Sequence, residues 1–430
     1  MNRLTEHDLF LDYIYEYIKL ENVNLLLIAG DIFDTINPSR EAEKQYFNFL
    51  KKIAKLKFCK VLVLAGNHDS VAHLSASKNL LKVLDIAVVS QFKNEFESLY
   101  YSYDVPDLVS SNLIDDHAEK LDNQNLADLS CDINYHNKPE TAINECIKSN
   151  RKVHVLALPF LREQDLRKLD FGIEITEKDR AEKQALKQIY RQAAEFLKFK
   201  VNDNDFKMIT GHLTITGSQN TDSEREIHIG GLAGNLTKKD LNEVLDFDYV
   251  ALGHLHKPQK LAEHIYYSGS PIPMSFSEAQ QDKFFNLITI DSSGHRVEKQ
   301  KIPKFRNFYR LNGDLAFLTK KLIEIAAQDE TNLKPWLEVS LKQNTYMQHE
   351  INQLHKQAKD LDLEILKLLV LKTDASDLKL TGEYTQIKDL TVLEVFNKKI
   401  ESLAEEEREP VLDCFKLLLE ESYQLEDLRA

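Results

Sequence analysis

The sequence predicts an α/β fold whose parallel strands carry polar side chains to the edge of a sheet. Three motifs support that expectation: Gly30-Asp31-Ile32-Phe33-Asp34, Gly66-Asn67-His68-Asp69 and Gly253-His254-Leu255-His256. Each follows a run rich in Val, Leu and Ile, at residues 24–29, 61–65 and 249–252. Short apolar runs that end in Gly and then in ligand-type residues read as buried parallel strands. Open α/β sheets bind ligands at the carboxyl ends of such strands. Asp, Asn and His together suit a hydrolytic metal of the manganese, iron or zinc kind, with no thiolate needed.

The elements follow in order. Leu9, Leu11, Ile14, Tyr15 and Ile18 fall at helical spacing, and the first strand then runs to Asp31. Asn37-Pro38-Ser39 is a helix start, with Tyr46, Phe47, Leu50 and Ile53 as the apolar stripe. A second strand at 60–65 leads into the Asn67-His68 loop, a helix covers 76–84, and a short strand covers 86–89. This β–α–β–α alternation predicts a parallel sheet with crossover helices. Residues from about 94 to 150 are rich in Asp and Asn without a sustained period, as in an insertion. Strands at 153–158 and 206–210 flank a charged helix at 178–198, whose apolar face carries Ala185, Ile189, Ala193 and Leu197. Pro271 and Pro273 make 269–276 a rigid turn, and strands follow at 285–290 and 297–302. The stretch 305–312 reads as a boundary. Beyond it the pattern predicts helices at 317–327, 347–365, 393–403 and 411–423, with strands at 336–341 and 368–372.

At 430 residues the chain is long enough for two or more domains. Its 55 basic and 69 acidic side chains give a net charge of −14, which excludes a generic nucleic-acid coat. It leaves room for an enzyme that grips DNA through a local patch. Cys59, Cys131, Cys146 and Cys414 are scattered, as expected of reduced, packed thiols in the cytoplasm. No apolar stretch suits a bilayer span, and the first residues lack the apolar region of a signal peptide.

Each candidate has a bland alternative. Asp31 after Gly30 could simply start a turn, and Asp34 would cap or orient the loop. Gly66 lets the backbone turn hard at the strand end, presenting the Asn67 amide oxygen to a cation and His68 to a substrate. His254 and His256 alternate about Leu255, which in extended backbone puts both imidazoles on one face. His212 follows a strand and Gly211 and, taken alone, suits a core position. Four such motifs in this order, each after a strand, argue against coincidence. The other histidines have no such setting, and Tyr100, Tyr101 and Tyr103 suit strand packing better than base stacking.

The order Gly-Asp, Gly-Asn-His-Asp, Gly-His, Gly-His-x-His resembles that of the calcineurin-like metallophosphoesterases. Several stretches are similar to the SbcD-type nuclease subunits within them. These are Asp31-Ile32-Phe33-Asp34-Thr35 with Asn37-Pro38-Ser39, Ala157-Leu158-Pro159-Phe160-Leu161-Arg162, and 247–256. Tyr267-Ser268-Gly269-Ser270-Pro271-Ile272-Pro273 and Ser275-Phe276-Ser277-Glu278 add to them. The resemblance implies a β-sandwich flanked by helices at 1–305, an α+β cap at 306–390 and a helical tail at 391–430. Carried over by position, it makes Asp31 the carboxylate bridging two Mn²⁺ ions. Asn67, His212 and His254 complete one metal site, and His256 belongs to the other. His68 would stabilise the transition state and assist the departing oxygen. The reaction implied is hydrolysis of a DNA phosphodiester, with both metals clamping the attacking and leaving oxygens.

The family's activity is an ATP-dependent double-strand 3′–5′ exonuclease and single-strand hairpin endonuclease in DNA repair, replication and recombination. It is exercised with the coiled-coil ATPase SbcC, in a heterotetramer containing a dimer of the nuclease subunit. The tail, with Leu412, Phe415, Leu418 and Leu419 at helical spacing, would dock that partner or pack as an ordinary helix. The family also begins with a strand ending in Asp-x-His, which ligates the first metal, and no Asp-x-His precedes Asp31 here. A start assigned too late or a shortened protein would each account for this, and the first site is expected to be incomplete. Two rival functions stay open: a phosphoesterase of small nucleotides, and a scaffold subunit impaired at the first metal site.

Overall fold

The computed structural model describes residues 3–104, 152–162, 165–166, 178–202, 205–216, 218–219, 236–237, 240, 247–291, 294–343 and 348–372, with isolated positions at 408, 411–412 and 415. The helix expected at 393–403, most of that at 411–423, and 105–150 of the expected insertion lie outside them. The chain divides into two compact units, Met1–Leu371 and Lys372–Ala430, and the first holds the elements that build the site.

Helix α1 (Leu4–Leu20) buries Ile14 and Ile18 and leads into β1 (Leu25–Ala29). Helix α2 (Arg40–Ala54) starts at Ser39, whose Oγ accepts the Ala42 amide at 3.2 Å. Its buried stripe is Tyr46, Phe49, Leu50 and Ile53, an i, i+3, i+4, i+7 series that leaves the expected Phe47 partly exposed. Strand β2 (Lys60–Leu64) follows, and the helix expected at 76–84 is two short ones, α3 (Val71–Ala76) and α4 (Lys78–Val83), broken at Ser77. Next come β3 (Ile86–Val89) and β4 (Tyr100–Asp104). Tyr100, Tyr101 and Tyr103 thus sit in a regular strand, so the irregular stretch does not begin at 94.

Strand β5 (Lys152–Leu158), helix α5 (Lys178–Lys200) and β6 (Phe206–His212) come next, then β7 (Ile215–Thr216), β8 (Leu236–Thr237) and β9 (Tyr249–Gly253). Strands β10 (Gln259–Lys260) and β11 (Ile265–Tyr267) precede a hairpin of β12 (Lys283–Asp291) and β13 (Gly294–Ile302). The core strands fall into two sheets, and the parallel sheet expected from the alternation over residues 25–89 is one of them. Strands β1, β2 and β3 form one, all parallel. The other runs β10-β11-β9-β6-β5-β4, with antiparallel strands at both edges and a parallel centre.

Strand β2 shows how the layers stack. Leu62 and Leu64 pack with Val155, Leu156, Leu158 and Ile209 of the second sheet. Val61 and Val63 point the other way, into a core shared with Ile18, Leu50 and Ile53. Alternate residues of a strand face opposite sides, so β2 is apolar on both. The result is a two-sheet sandwich covered by helices. A cavity of about 1790 Å³ borders α1, β1, β9 and β12 and reaches Asp31, His68, His254 and His256.

Beyond the hairpin, the stretch expected as a boundary is a strand, β14 (Arg306–Gly313). It pairs in parallel with β15 (Leu333–Gln343) across helix α6 (Leu315–Gln328), which starts at the Asp314 cap. Helix α7 (Gln348–Asp360) is shorter than expected because Asp362 takes a left-handed φ of 58°, and β16 (Glu364–Lys372) begins two residues on. Leu318, Leu322, Leu337, Val339 and Leu354 form a separate core there. This module meets α1 at Glu6, 1% exposed, which binds Arg3 at 3.0 Å and faces Arg306 at 3.6 Å. The Arg306 guanidinium lies 4.2 Å over the Trp336 ring. Among the described residues no helix is long and apolar enough to cross a membrane.

Candidate metal centre

Four strand ends converge here, two from each sheet. Asp31 follows β1, Asn67 follows β2, His212 ends β6 and His254 follows β9. Ligand atoms of Asp31, His212 and His254 all lie within 4.8 Å of one another. His212 Nε2 is 3.1 Å from Asp31 Oδ2 and 3.0 Å from Asn67 Oδ1, and His254 Nδ1 is 3.3 Å from the same amide oxygen. His212 Nδ1 faces the Ala29 carbonyl at 2.9 Å and donates to it, which leaves Nε2 as the inward donor atom.

The backbone is bent to make this possible. Asp31 has φ 51° and His254 φ 94°, left-handed values that side-chain-bearing residues rarely adopt. Gly253 and Gly66 are needed for close approach. A Cβ on Gly253 would lie 1.7 Å from the Ala29 oxygen, and one on Gly66 would lie 2.1 Å from Asp31 Oδ1. The φ of Gly66 is not positive, so crowding against Asp31, rather than a hard turn, explains the glycine.

Electrostatics agree with the geometry. Burial pushes the Asp31 carboxyl up, but the His212 charge, its hydrogen bond and the His68 amide outweigh that and bring it down to about 2. Burial pulls His212 down, and Asp31 reverses it, so the imidazole ends above its usual value. Burial, then the charge of His212, brings His254 down to about 3, which keeps it neutral and able to donate a lone pair. A carboxylate, an amide oxygen and two imidazoles crowded together in a mostly buried site fit a divalent cation of the manganese, iron or zinc class. Without a cation, Asp31 draws on His212 for its counter-charge.

His68 stands beside this cluster. Its backbone amide donates to Asp31 Oδ1 at 3.1 Å, and its Nδ1 meets the Asp34 carbonyl at 2.8 Å. The Asp34 carbonyl thus fixes the His68 ring. Nδ1 carries the proton in that contact, so Nε2 can face a substrate. His256 is outside the group gathered by Asp31, His212 and His254, although it lines the same cavity. Its Nδ1 lies 3.4 Å from Glu278 Oε1.

Two supports were not singled out from the sequence. Buried Asp69 accepts the amides of Gly66 at 2.8 Å, Ile32 at 3.2 Å and Phe33 at 3.1 Å, and so joins the loops bearing Asp31 and Asn67. Arg162 donates to the Asp69 carbonyl at 2.8 Å. The Gly-Asn-His-Asp motif contained the signal for Asp69, but two of its three amide partners, Ile32 and Phe33, lie more than thirty residues away.

The sandwich and the metal-type cluster define a metallophosphoesterase class. The family model for calcineurin-like phosphoesterase matches residues 6–258, more than half of the 430, and the chain belongs to that family. A second model, the type 5 capsule protein repressor C-terminal domain, matches residues 304–403. The chain is similar to the SbcD subunit of the nuclease SbcCD of Escherichia coli (strain K12), 27% identical over 429 residues covering 97% of this chain and 93% of that protein. It is also similar to the corresponding SbcCD nuclease subunit of Bacillus subtilis (strain 168), 29% identical over 290 residues, 67% of this chain and 61% of that protein. The subunit of the same name from Rhodobacter capsulatus is 28% identical over 299 residues, 67% of this chain and 62% of that one.

Proposed function

We propose that this chain is an SbcD-type nuclease subunit that hydrolyses phosphodiester bonds in DNA together with a coiled-coil ATPase of the SbcC type. The observation that carries the reading is the convergence of Asp31, Asn67, His212 and His254 from four strand ends, with His68 beside them. Likeness to a nuclease subunit over 97% of the chain supports DNA as the substrate.

In this reading Asp31, Asn67, His212 and His254 hold one divalent ion, taken to be Mn²⁺, and Asp31 and His256 contribute to a second. Bound there, the metals supply Lewis acidity and charge neutralisation at the phosphate. The chain's own residues do the rest. His212 is fixed by the Ala29 carbonyl, His254 stays neutral, and His68, its Nδ1–H held by the Asp34 carbonyl, would as the imidazolium give the proton on Nε2 to the departing oxygen. The domains proposed are the nuclease core at 1–305, the cap at 306–390 and a partner-docking tail at 391–430, and the second family match at 304–403 supports a boundary near 305. We place the protein in the cytoplasm, as a homodimer within a heterotetramer with its ATPase.

The test is cleavage of long duplex and hairpin DNA by the chain with its ATPase, Mn²⁺ and ATP. Release of nucleotides that depends on Asp31 is expected. Turnover of small phosphodiesters alone would replace this reading with that of a small-substrate phosphoesterase. A scaffold role is the second reading, favoured by the separation of His256 from the main cluster. Normal ATPase binding without cleavage would establish it.

A further inference from the structure

The loop after β9 and the turn at Phe276–Glu278 enclose an ion pair that the site described above does not use. Glu278 is wholly buried and Lys283 is 4% exposed. Burying two charges is expensive, and a pair of this kind persists where its geometry is well satisfied. Here both members of the pair touch His256. Glu278 Oε2 takes the Lys283 ammonium and the Met274 amide, the latter at 3.1 Å, and Oε1 faces His256 Nδ1 at 3.4 Å. Lys283 also donates to the His256 carbonyl at 3.2 Å and to Ser270 Oγ at 2.9 Å. The Ser270 amide meets that same carbonyl at 3.0 Å. The residue is thus held at its ring by a carboxylate and at its main chain by an ammonium and an amide.

We propose that Glu278 is a positioning residue: it accepts the His256 Nδ1 proton, and Lys283 anchors it, so that Nε2 keeps its lone pair for a divalent cation. This deepens the metal-dependent reading and rests on it. An acceptor behind a ligating imidazole fixes both its tautomer and its orientation. The ion pair gives the variant Glu278→Gln a definite sign. Lys283 and the Met274 amide are both donors and claim the Gln oxygen, so its NH₂ must face His256 Nδ1. Nδ1 then accepts, and the proton moves to Nε2, the wrong nitrogen for ligation.

The experiment uses the full chain and two readouts. The first is ¹⁵N–¹H correlation of the His256 ring in metal-free protein, which reports the tautomer whether or not metal binds. Wild type should be protonated at Nδ1 and Glu278→Gln at Nε2, and an unchanged tautomer overturns the proposal. The second is calorimetric titration with Mn²⁺ alone. Glu278→Gln should weaken the affected site about 10–100-fold. In a His256→Ala background it should have no further effect. Equal losses in both backgrounds would show a merely structural role and overturn the proposal. Wild type that binds no Mn²⁺ would defeat the metal-dependent reading alone, and the tautomer result would still decide the role of Glu278. Glu278→Asp, which keeps the charge, should recover part of the loss if the fold is intact.

Discussion

The Asp69 carboxylate accepts the Phe33 amide at 3.1 Å, so the loop after β2 holds the loop after β1 across the parallel sheet. The same carboxylate binds the amides of Ile32 and Gly66. Asp69→Ala leaves these donors without their acceptor in a buried place. Stability should fall by about 1–3 kcal/mol, read from the midpoint of urea unfolding. Mn²⁺ affinity should fall as well, because Asp31 and Asn67 sit on the two loops being joined. Unchanged stability would mean that the loops hold their shape without the clamp.

Gly66→Ala tests the close approach to Asp31. The added methyl would sit 2.1 Å from Asp31 Oδ1 and 2.3 Å from the Asp31 amide nitrogen, both inside contact distance. Main chain must move, at about 1–3 kcal/mol, and Asp31 moves with it. The variant should fold yet bind Mn²⁺ at least tenfold more weakly by titration. Wild-type affinity would show that the two loops can part without disturbing the site.

His68→Ala should suppress cleavage by about 10²-fold or more while leaving metal content and DNA affinity near wild type. The reason is local. Asp31 is held by the His68 main-chain amide, which alanine retains, whereas the imidazole contacts the Asp34 carbonyl through Nδ1. Loss of metal in this variant would place the ring among the ligands.

Metal content follows from the spacing of the donors. Asp31, Asn67, His212 and His254 are gathered, and His256 is apart, so about one tightly held Mn²⁺ per chain should survive dialysis. Affinity falls steeply as ligands are lost. Two retained ions by elemental analysis would show that the His256 side is as complete as the other.

Much of this was readable from residue order. Apolar runs ending at Gly30, Gly66, Gly211 and Gly253 marked the strand ends, and the helical face of Ala185, Ile189, Ala193 and Leu197 is buried as spaced. The two-sheet sandwich was implied by the family resemblance and not by the apolar runs themselves, because β2 and β9 are both mainly apolar runs and nothing in such a run names its neighbour. The helix at 348–360 was overextended since Leu361, Leu363 and Ile365 continue an apolar pattern, while the left-handed turn at Asp362 depends on context. What the reading of 305–312 lacked was the strand itself, whose Phe308 is buried against Trp336 across α6. For the site, ligand types and order were visible. The supporting contacts of Asp69 to Ile32 and Phe33 and of Glu278 to His256 join separate loops and have no local pattern to announce them.

Because Asp31 and Asn67 belong to one sheet and His212 and His254 to the other, a cation held among them would act as a rivet across the seam of the sandwich. Its binding energy would then also be docking energy between the layers. A ligand that binds only the closed seam stabilises it by an amount that grows with its concentration, about 4 kcal/mol at a thousandfold excess over Kd. The reverse also holds: whatever pries the layers apart must expel the ion.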